Sequence, residues 1–210
     1  MADDDDGDSD CSDGDDEEGH VVDLDVEILS LEGEIRLLEN RIAADERLAA
    51  NAAQDGKFVQ KVNPNGNCFM GAVSLGEVAA GIAVIQRSPG AIRQSLAEVI
   101  SRMRSEFLAD LIISATSTSP ATTTSMSAYV AIDKNYVLCD VSLLFAYAYE
   151  SNVILRVIRE DATIATFDPS VAAEQYGLPR KTTAVRGVVT ITEREAAPRH
   201  FDVAISKSAA

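Results

Sequence analysis

Two short segments of the chain carry the residue types needed for nucleophilic catalysis by a thiol. His200 opens the segment His200-Phe201-Asp202, which is followed by apolar and β-branched residues that predict a strand. Residues i and i+2 of a strand point to the same face, so Asp202 is placed to accept the Nδ1–H of His200. That bond would leave Nε2 as an oriented general base, which is half of a nucleophilic triad.

Cys68 is the residue best suited to be the nucleophile. It follows Asn65-Gly66-Asn67 and starts a predicted helix, where unpaired backbone N–H groups and the helix dipole lower the pKa of a thiol. Gly66 would let the backbone approach a carbonyl closely, and the N–H groups of residues 66–68 would form an oxyanion hole, worth about 3 kcal/mol per donor. The alternative is that Cys68 is a small core residue and that His200 and Asp202 are an ordinary surface pair.

Apolar periodicity divides the rest of the chain into helices followed by strands. It predicts one helix over 21–50, a second from Cys68, a third capped by Ser88-Pro89 and extending to Leu111, and a fourth over about 140–150. Residues 114–127 are predicted to be a loop. Four strands are predicted over 153–158, 164–167, 185–192 and 200–205. This order favours an α+β fold over repeated βαβ units.

The predicted helix over 21–50 has an apolar seam with heptad spacing. The seam ends where Asp45 falls on it, and its members are Leu24, Ile28, Leu31, Ile35, Leu38 and Ile42. Fewer than three heptads is short for a self-sufficient coiled coil. Two interpretations therefore stay open: a helix for self-association or partner binding through residues 24–42, or a helix packed on the domain that follows.

Composition limits the classes of function. Residues 1–25 hold 13 acidic residues and no Lys or Arg, so they account for most of the net charge of −16 and residues 26–210 carry about −3. We predict residues 1–20 to be a disordered acidic tail. Neither part has the excess of Lys and Arg that nucleic-acid binding requires. No apolar run is long enough to span a membrane.

The cysteines indicate a reducing compartment. Three cysteines, Cys11, Cys68 and Cys139, without a signal peptide argue against a disulfide scaffold. No Cys/His cluster has zinc spacing, so neither a metal nor a cofactor is expected. The expected location is the cytoplasm or the nucleus, or the host cytoplasm if the protein is viral.

Four segments, in the correct order over about residues 57–206, resemble the OTU (ovarian tumour) family of cysteine proteases that remove ubiquitin. The nucleophile motif Asp-Gly-Asn-Cys of that family resembles Asn65-Gly66-Asn67-Cys68, and its closing His-aromatic-Asp resembles His200-Phe201-Asp202. Between them, the family's long helix resembles 92–107. Residues 129–154 resemble the stretch where a Tyr, a Trp-Gly-Asp and a helix precede a central strand.

The resemblance implies a papain-like α+β fold with a small sheet flanked by helices, and a function for each matched residue. Cys68 is then the nucleophile, His200 the base and Asp202 the orienting acid, with Asn65, Gly66 and Asn67 forming the oxyanion loop. The chain departs from the family at Asn65, where the family has Asp, and at Leu138-Cys139-Asp140, where it has Trp-Gly-Asp. Cys139 is therefore expected to be a core thiol.

The leading functional hypothesis is a thiol-dependent deubiquitinase that acts on ubiquitin or ubiquitin-like conjugates through a thioester. A second hypothesis is a cysteine protease with another substrate, such as a viral polyprotein. A third is a catalytically silent OTU-like module that recruits partners through its N-terminal helix and tail.

Overall fold

The architecture was obtained as a computed structural model. It describes residues 18–64, 66–103, 141–195 and 199–206, with side chains from residue 26 onward. They fall into two units, one up to Ile42 and one from Ala43. In the ranges described, no helix combines the length and the apolarity needed to cross a membrane. The predicted disordered tail lies outside the described residues, except that residues 18–20 are helical.

The first helix, α1 (Glu18–Gln54), extends beyond both ends of the predicted range 21–50. Its apolar pattern changes at Asp45, where the heptad seam ends. From residue 44 onward a second apolar pattern is buried, which consists of Ala44, Leu48 and Ala52 at a spacing of four. The boundary between the two units therefore lies within α1, whereas the sequence placed it between residues 50 and 57. This stripe of small and apolar residues belongs to the second unit.

In the described part of the second unit there are four further helices. They are α2 (Cys68–Ala79), α3 (Pro89–Ile100), α4 (Val141–Ser151) and α5 (Pro169–Tyr176). The cap predicted for α3 is present, because Ser88 Oγ accepts the N–H of Ala91 and Pro89 occupies the first turn. The predicted continuation of α3 to Leu111 is wrong at its start, since the helix ends at Ile100, and it lies outside the described residues from 104 onward.

Five strands of this unit are described, and they form one sheet. Its strands are β1 (Lys57–Gln60), β2 (Ile154–Arg159), β3 (Ile164–Phe167), β4 (Val188–Arg194) and β5 (His200–Ser206). They are arranged in the order β1-β5-β4-β2-β3. Only β2 and β4 pair in parallel, and the other neighbours are antiparallel. The α+β class predicted from the order of elements is confirmed.

Helix α2 packs against β4 and β5 and so connects the nucleophile segment to the sheet. The approach is close at Gly76, where a Cβ would lie 2.7 Å from a methyl group of Val189. The other face of the sheet carries a smaller cluster, in which Ala52 of α1 contacts Ile158 and Ala204. Successive side chains of β5 therefore point to two different layers.

Candidate active site

Cys68 lies at the first residue of α2 and is half-buried. A residue at this position keeps its backbone N–H outside the hydrogen bonding of the helix. The next residue, Phe69, is buried, and its ring meets the ring of Phe201 edge to face with centroids 5.4 Å apart. Because Phe201 directly follows His200, this aromatic contact brings the start of α2 to the start of β5.

The thiol of Cys68 and the imidazole of His200 lie close enough that each shifts the pKa of the other. On the far side of the ring, Nε2 of His200 lies 3.0 Å from Oδ1 of Asp202. The sequence prediction that Nδ1 would face Asp202 is therefore wrong, and Nδ1 is the nitrogen left for the thiol. Positions i and i+2 of a strand are about 7 Å apart, so the ring nitrogen farther from Cβ is the one that reaches the carboxylate.

Asp202 is held by two further donors that the sequence did not identify. The backbone N–H of Val62 donates to Oδ1 at 2.7 Å, and Nζ of Lys61 lies 3.1 Å from Oδ2. Both residues follow β1, and the antiparallel register that pairs Gln60 with Val203 brings them to Asp202. The carboxylate is buried and cannot rotate away from the imidazole without breaking these bonds.

Lys61 also connects Asp202 to the second part of α1. Its ammonium lies 2.8 Å from Oδ2 of Asp45, and the other oxygen of Asp45 lies 3.2 Å from Nη1 of Arg194. Arg194 is the strand partner of His200 in the β4–β5 ladder. The polar residue that ends the heptad seam thus stabilises the cation that holds Asp202.

The electrostatics of the three side chains favour a thiolate–imidazolium pair. Burial by itself raises the pKa of Cys68, but the hydrogen bond from His200, backbone hydrogen bonds from Phe201 and Phe69, and the positive charge of His200 outweigh it and lower the pKa. Burial by itself lowers the pKa of His200, whereas hydrogen bonds to Asp202 and Cys68 raise it from 6.5 to about 9.

The pKa of Asp202 is lowered, so the acid stays ionised behind the ring. Burial opposes this effect, and it is outweighed by the hydrogen bonds from His200, from the N–H of Val62 and from Lys61. A carboxylate that stays charged stabilises an imidazolium.

The loop before Cys68 is held by a buried arginine. The guanidinium of Arg93, on α3, donates from Nε and Nη2 to Oδ1 of Asn67 at 2.9 and 2.7 Å, and from Nη2 to the carbonyl of Gly66 at 3.2 Å. Gly66 has φ +78°, a left-handed conformation that favours glycine. Of the predicted loop residues, Gly66 and Asn67 are next to the thiol, and Asn65 lies outside the described residues.

Of the two residues that support this site, Arg93 could have been predicted from the sequence and Lys61 could not. Arg93 is spaced by three and seven from the buried Leu96 and Ile100, so a charged residue on the core face of α3 was a usable signal. Lys61 is exposed in part and has no local pattern, and only the pairing of β1 with β5 brings it to Asp202. Cys139 lies outside the described residues.

Comparisons with known proteins identify the fold. No family model and no curated protein sequence matches the chain. Among solved structures, the OTU domain of OTUD1 superimposes with a TM-score of 0.50 at 16% identity, covering 80% of this chain and 98% of that one. An OTU deubiquitinase from Wolbachia pipientis wMel gives a TM-score of 0.52 at 18% identity, covering 74% and 92%.

A structure of an OTU deubiquitinase from Wolbachia pipientis wMel bound to ubiquitin gives 0.45 at 15% identity, covering 73% of this chain and 98% of that one. The first two similarities show that the chain has the α+β fold of OTU domains. The predicted fold resemblance is therefore confirmed.

Proposed function

We propose that this chain is a cysteine-type deubiquitinase, in which Cys68 attacks the carbonyl carbon of the C-terminal Gly of ubiquitin. The observation that carries the proposal is the contact of the Cys68 thiol with an imidazole whose far nitrogen is bonded to the buried Asp202. This is the arrangement of nucleophile, base and orienting acid that thiol-dependent acyl transfer needs. Ubiquitin as the substrate is supported by the OTU fold, which this chain shares with known deubiquitinases.

The first half-reaction forms a thioester. The thiolate of Cys68 adds to the carbonyl carbon of the scissile isopeptide bond, and the carbonyl oxygen becomes an oxyanion. The N–H of Cys68, outside the hydrogen bonding of α2, is positioned to donate to that oxygen. His200 then gives its Nδ1 proton to the lysine nitrogen, the C–N bond breaks, and the amine departs.

The second half-reaction regenerates the enzyme. Neutral His200 takes a proton from a water molecule, which attacks the thioester carbonyl. The C–S bond then breaks, and the products are the C-terminal carboxylic acid of ubiquitin, which releases its proton to solvent, and the thiolate–imidazolium pair. Throughout, Asp202 accepts from Nε2 and keeps the ring aligned, and Lys61 and the N–H of Val62 keep Asp202 aligned.

Labelling with a ubiquitin that carries a C-terminal electrophile tests the proposal directly. We expect one ubiquitin to be added to Cys68, and we expect the Cys68→Ala variant to stay unlabelled while keeping the circular dichroism spectrum of the parent. The matched control is the double variant Cys11→Ala and Cys139→Ala, which should be labelled like the parent. An intact, folded parent that is not labelled between pH 6 and pH 9 would favour the silent binding module.

A second assay separates deubiquitination from cleavage of another protein. Chains of two ubiquitins in each linkage are incubated with the parent and with Cys68→Ala. Cleavage by the parent alone supports the proposal. Labelling of Cys68 by a general thiol reagent, without ubiquitin labelling or chain cleavage, would favour a protease with a different substrate.

A further inference from the structure

The part of α1 up to Ile42 presents an exposed apolar seam. In this first unit, the side chains of the seam are 52–59% exposed, and those described are Ile28, Leu31, Ile35, Leu38 and Ile42. In proteins, a helix gains most of its stability from packing such an apolar face against a neighbour rather than from helix propensity. The seam therefore needs an occupant, which its own residues help to identify.

The seam has the composition of a two-stranded coiled coil. Isoleucine stands at residues 28, 35 and 42, and leucine stands at residues 24, 31 and 38. In heptad terms, the isoleucines are at position a and the leucines at position d. β-Branched residues at a with leucine at d favour two parallel helices over three or four. The occupant is therefore one helix with its own heptad seam.

The charges that flank the seam discriminate between possible partners. Positions e and g border the seam, and from residue 25 to residue 41 five of these six positions are acidic: Asp25, Glu27, Glu32, Glu34 and Glu39. Arg41 is the exception. The four glutamates are exposed in the structure. The seam is thus an apolar strip between two rows of negative charge.

A second copy of this chain fits the strip poorly. In a parallel pair, position g faces position e of the next heptad, so Glu27 would meet Glu32 of the other copy, and Glu34 would meet Glu39. In an antiparallel pair, e faces e and g faces g, which again brings acidic residues together. Like charges at these positions destabilise a pair, and opposite charges stabilise it.

We propose that residues 24–42 are a docking site for a partner helix that carries an apolar heptad seam flanked by lysine or arginine. The apolar seam supplies affinity, and the acidic flanks supply selectivity against a second copy and against acidic helices. This inference goes beyond the proposed hydrolase activity, since the seam belongs to a unit that contains none of the three triad residues.

Binding of two synthetic helices to the full chain tests the inference. Both peptides have isoleucine at a and leucine at d over four heptads, and they differ only in lysine or glutamate at e and g. By fluorescence anisotropy at low salt, we expect the lysine peptide to bind at least about tenfold more tightly than the glutamate peptide. The ratio should fall towards one at 1 M salt, where the screening length is about 3 Å.

Variants of the chain locate the site. Leu31→Asp together with Leu38→Asp should abolish binding of the lysine peptide. Val26→Asp is the matched control, since Val26 is 62% exposed but lies opposite the seam in the heptad, and it should leave binding unchanged. Replacing Glu27, Glu32, Glu34 and Glu39 by lysine should reverse the preference, so that the glutamate peptide binds more tightly.

Three results would overturn the proposal. The first is equal binding of the two peptides at low salt. The second is binding of neither peptide. The third is sedimentation of the parent as a dimer at neutral pH that Leu31→Asp with Leu38→Asp converts to a monomer, because a second copy would then be the occupant. None of these results depends on whether Cys68 reacts with ubiquitin.

Discussion

The rings of Phe69 and Phe201 meet edge to face with centroids 5.4 Å apart, and each ring belongs to the residue directly after Cys68 or His200. The two segments are more than 130 residues apart in the chain, so local backbone preference cannot align them. An aromatic pair of this geometry contributes about 0.5–1.5 kcal/mol beyond the burial of its surface. The contact therefore aligns the nucleophile with its base as well as stabilising the core.

Replacing Phe201 by leucine should reduce both the stability of the core and the alignment of Cys68 with His200. We expect a loss of stability of about 1–2 kcal/mol and a fall in the rate of Cys68 labelling of about tenfold, because a small displacement of a reacting group is costly. Phe167→Leu is the matched control, since Phe167 meets Phe145 edge to face at 4.9 Å away from the thiol. It should lower the melting temperature similarly and leave the labelling rate unchanged; equal losses of rate would contradict the alignment role.

The pH dependence of turnover should be bell-shaped. The rising limb follows ionisation of Cys68, whose pKa is lowered, and the falling limb lies near pH 9, where His200 loses its proton. Asp202→Asn removes the carboxylate that raises the pKa of His200, so the falling limb should move to lower pH. The maximal rate should fall by about 10²-fold or more. The pH of the falling limb is measured from profiles of kcat/KM against pH. A falling limb that stays near pH 9 in Asp202→Asn would contradict the assigned geometry.

Replacing Lys61 by methionine should remove one of the hydrogen bonds that position Asp202 and leave all three triad residues in place. Asp202 would keep its bonds to Val62 and His200 but lose the ammonium that lowers its pKa, so the carboxyl should protonate at higher pH. The rate should then fall severalfold, mostly on the acidic side of the profile. Lys57→Met is the control, because Lys57 pairs with Asp55 instead. Identical profiles for both variants would show that Lys61 is not a positioning residue.

Local patterns predicted the two ends of the site, and long-range pairing supplied the remainder. Cys68 and His200 stand at the starts of a helix and a strand whose periodicity is visible in the sequence. Strand β1 has only four residues with polar ends, and it was missed. Without β1, nothing in the sequence could bring Lys61 to Asp202.

Helix α5 was also missed, although its ends carry recognisable signals. Asp168 caps it by accepting the N–H of Ser170, Pro169 occupies its first turn, and Gly177 ends it with φ +68°. Its eight residues span only about two turns, which is too short for a helical period to be recognised between these signals.

Replacing Arg93 by lysine should lower kcat. Lysine keeps the positive charge but lacks the planar guanidinium that donates from two nitrogens to Oδ1 of Asn67 and also reaches the carbonyl of Gly66. We expect a fall in kcat of about tenfold or more, with little change in KM, because the loop borders the developing oxyanion. Arg102→Lys, at the exposed end of the same segment, is the control. A change in KM alone would place the effect on substrate binding instead.

The buried carboxylate of Glu77 makes the stability of α2 depend on Arg87. Glu77 accepts from Nη2 of Arg87 at 2.9 Å and from the hydroxyl of Tyr147 at 2.9 Å, and Arg87 also bonds both oxygens of Glu150. Arg87→Met would leave a buried negative charge without its cation, so the free energy of unfolding should fall by about 3 kcal/mol.

Urea unfolding measures this change in the free energy of unfolding. The control is Arg180→Met, which removes an exposed guanidinium and should change the free energy of unfolding by less than about 0.5 kcal/mol. Because Arg87 contacts none of the three triad residues, Cys68 in the folded fraction of the Arg87 variant should still react with the ubiquitin electrophile at the parent's rate.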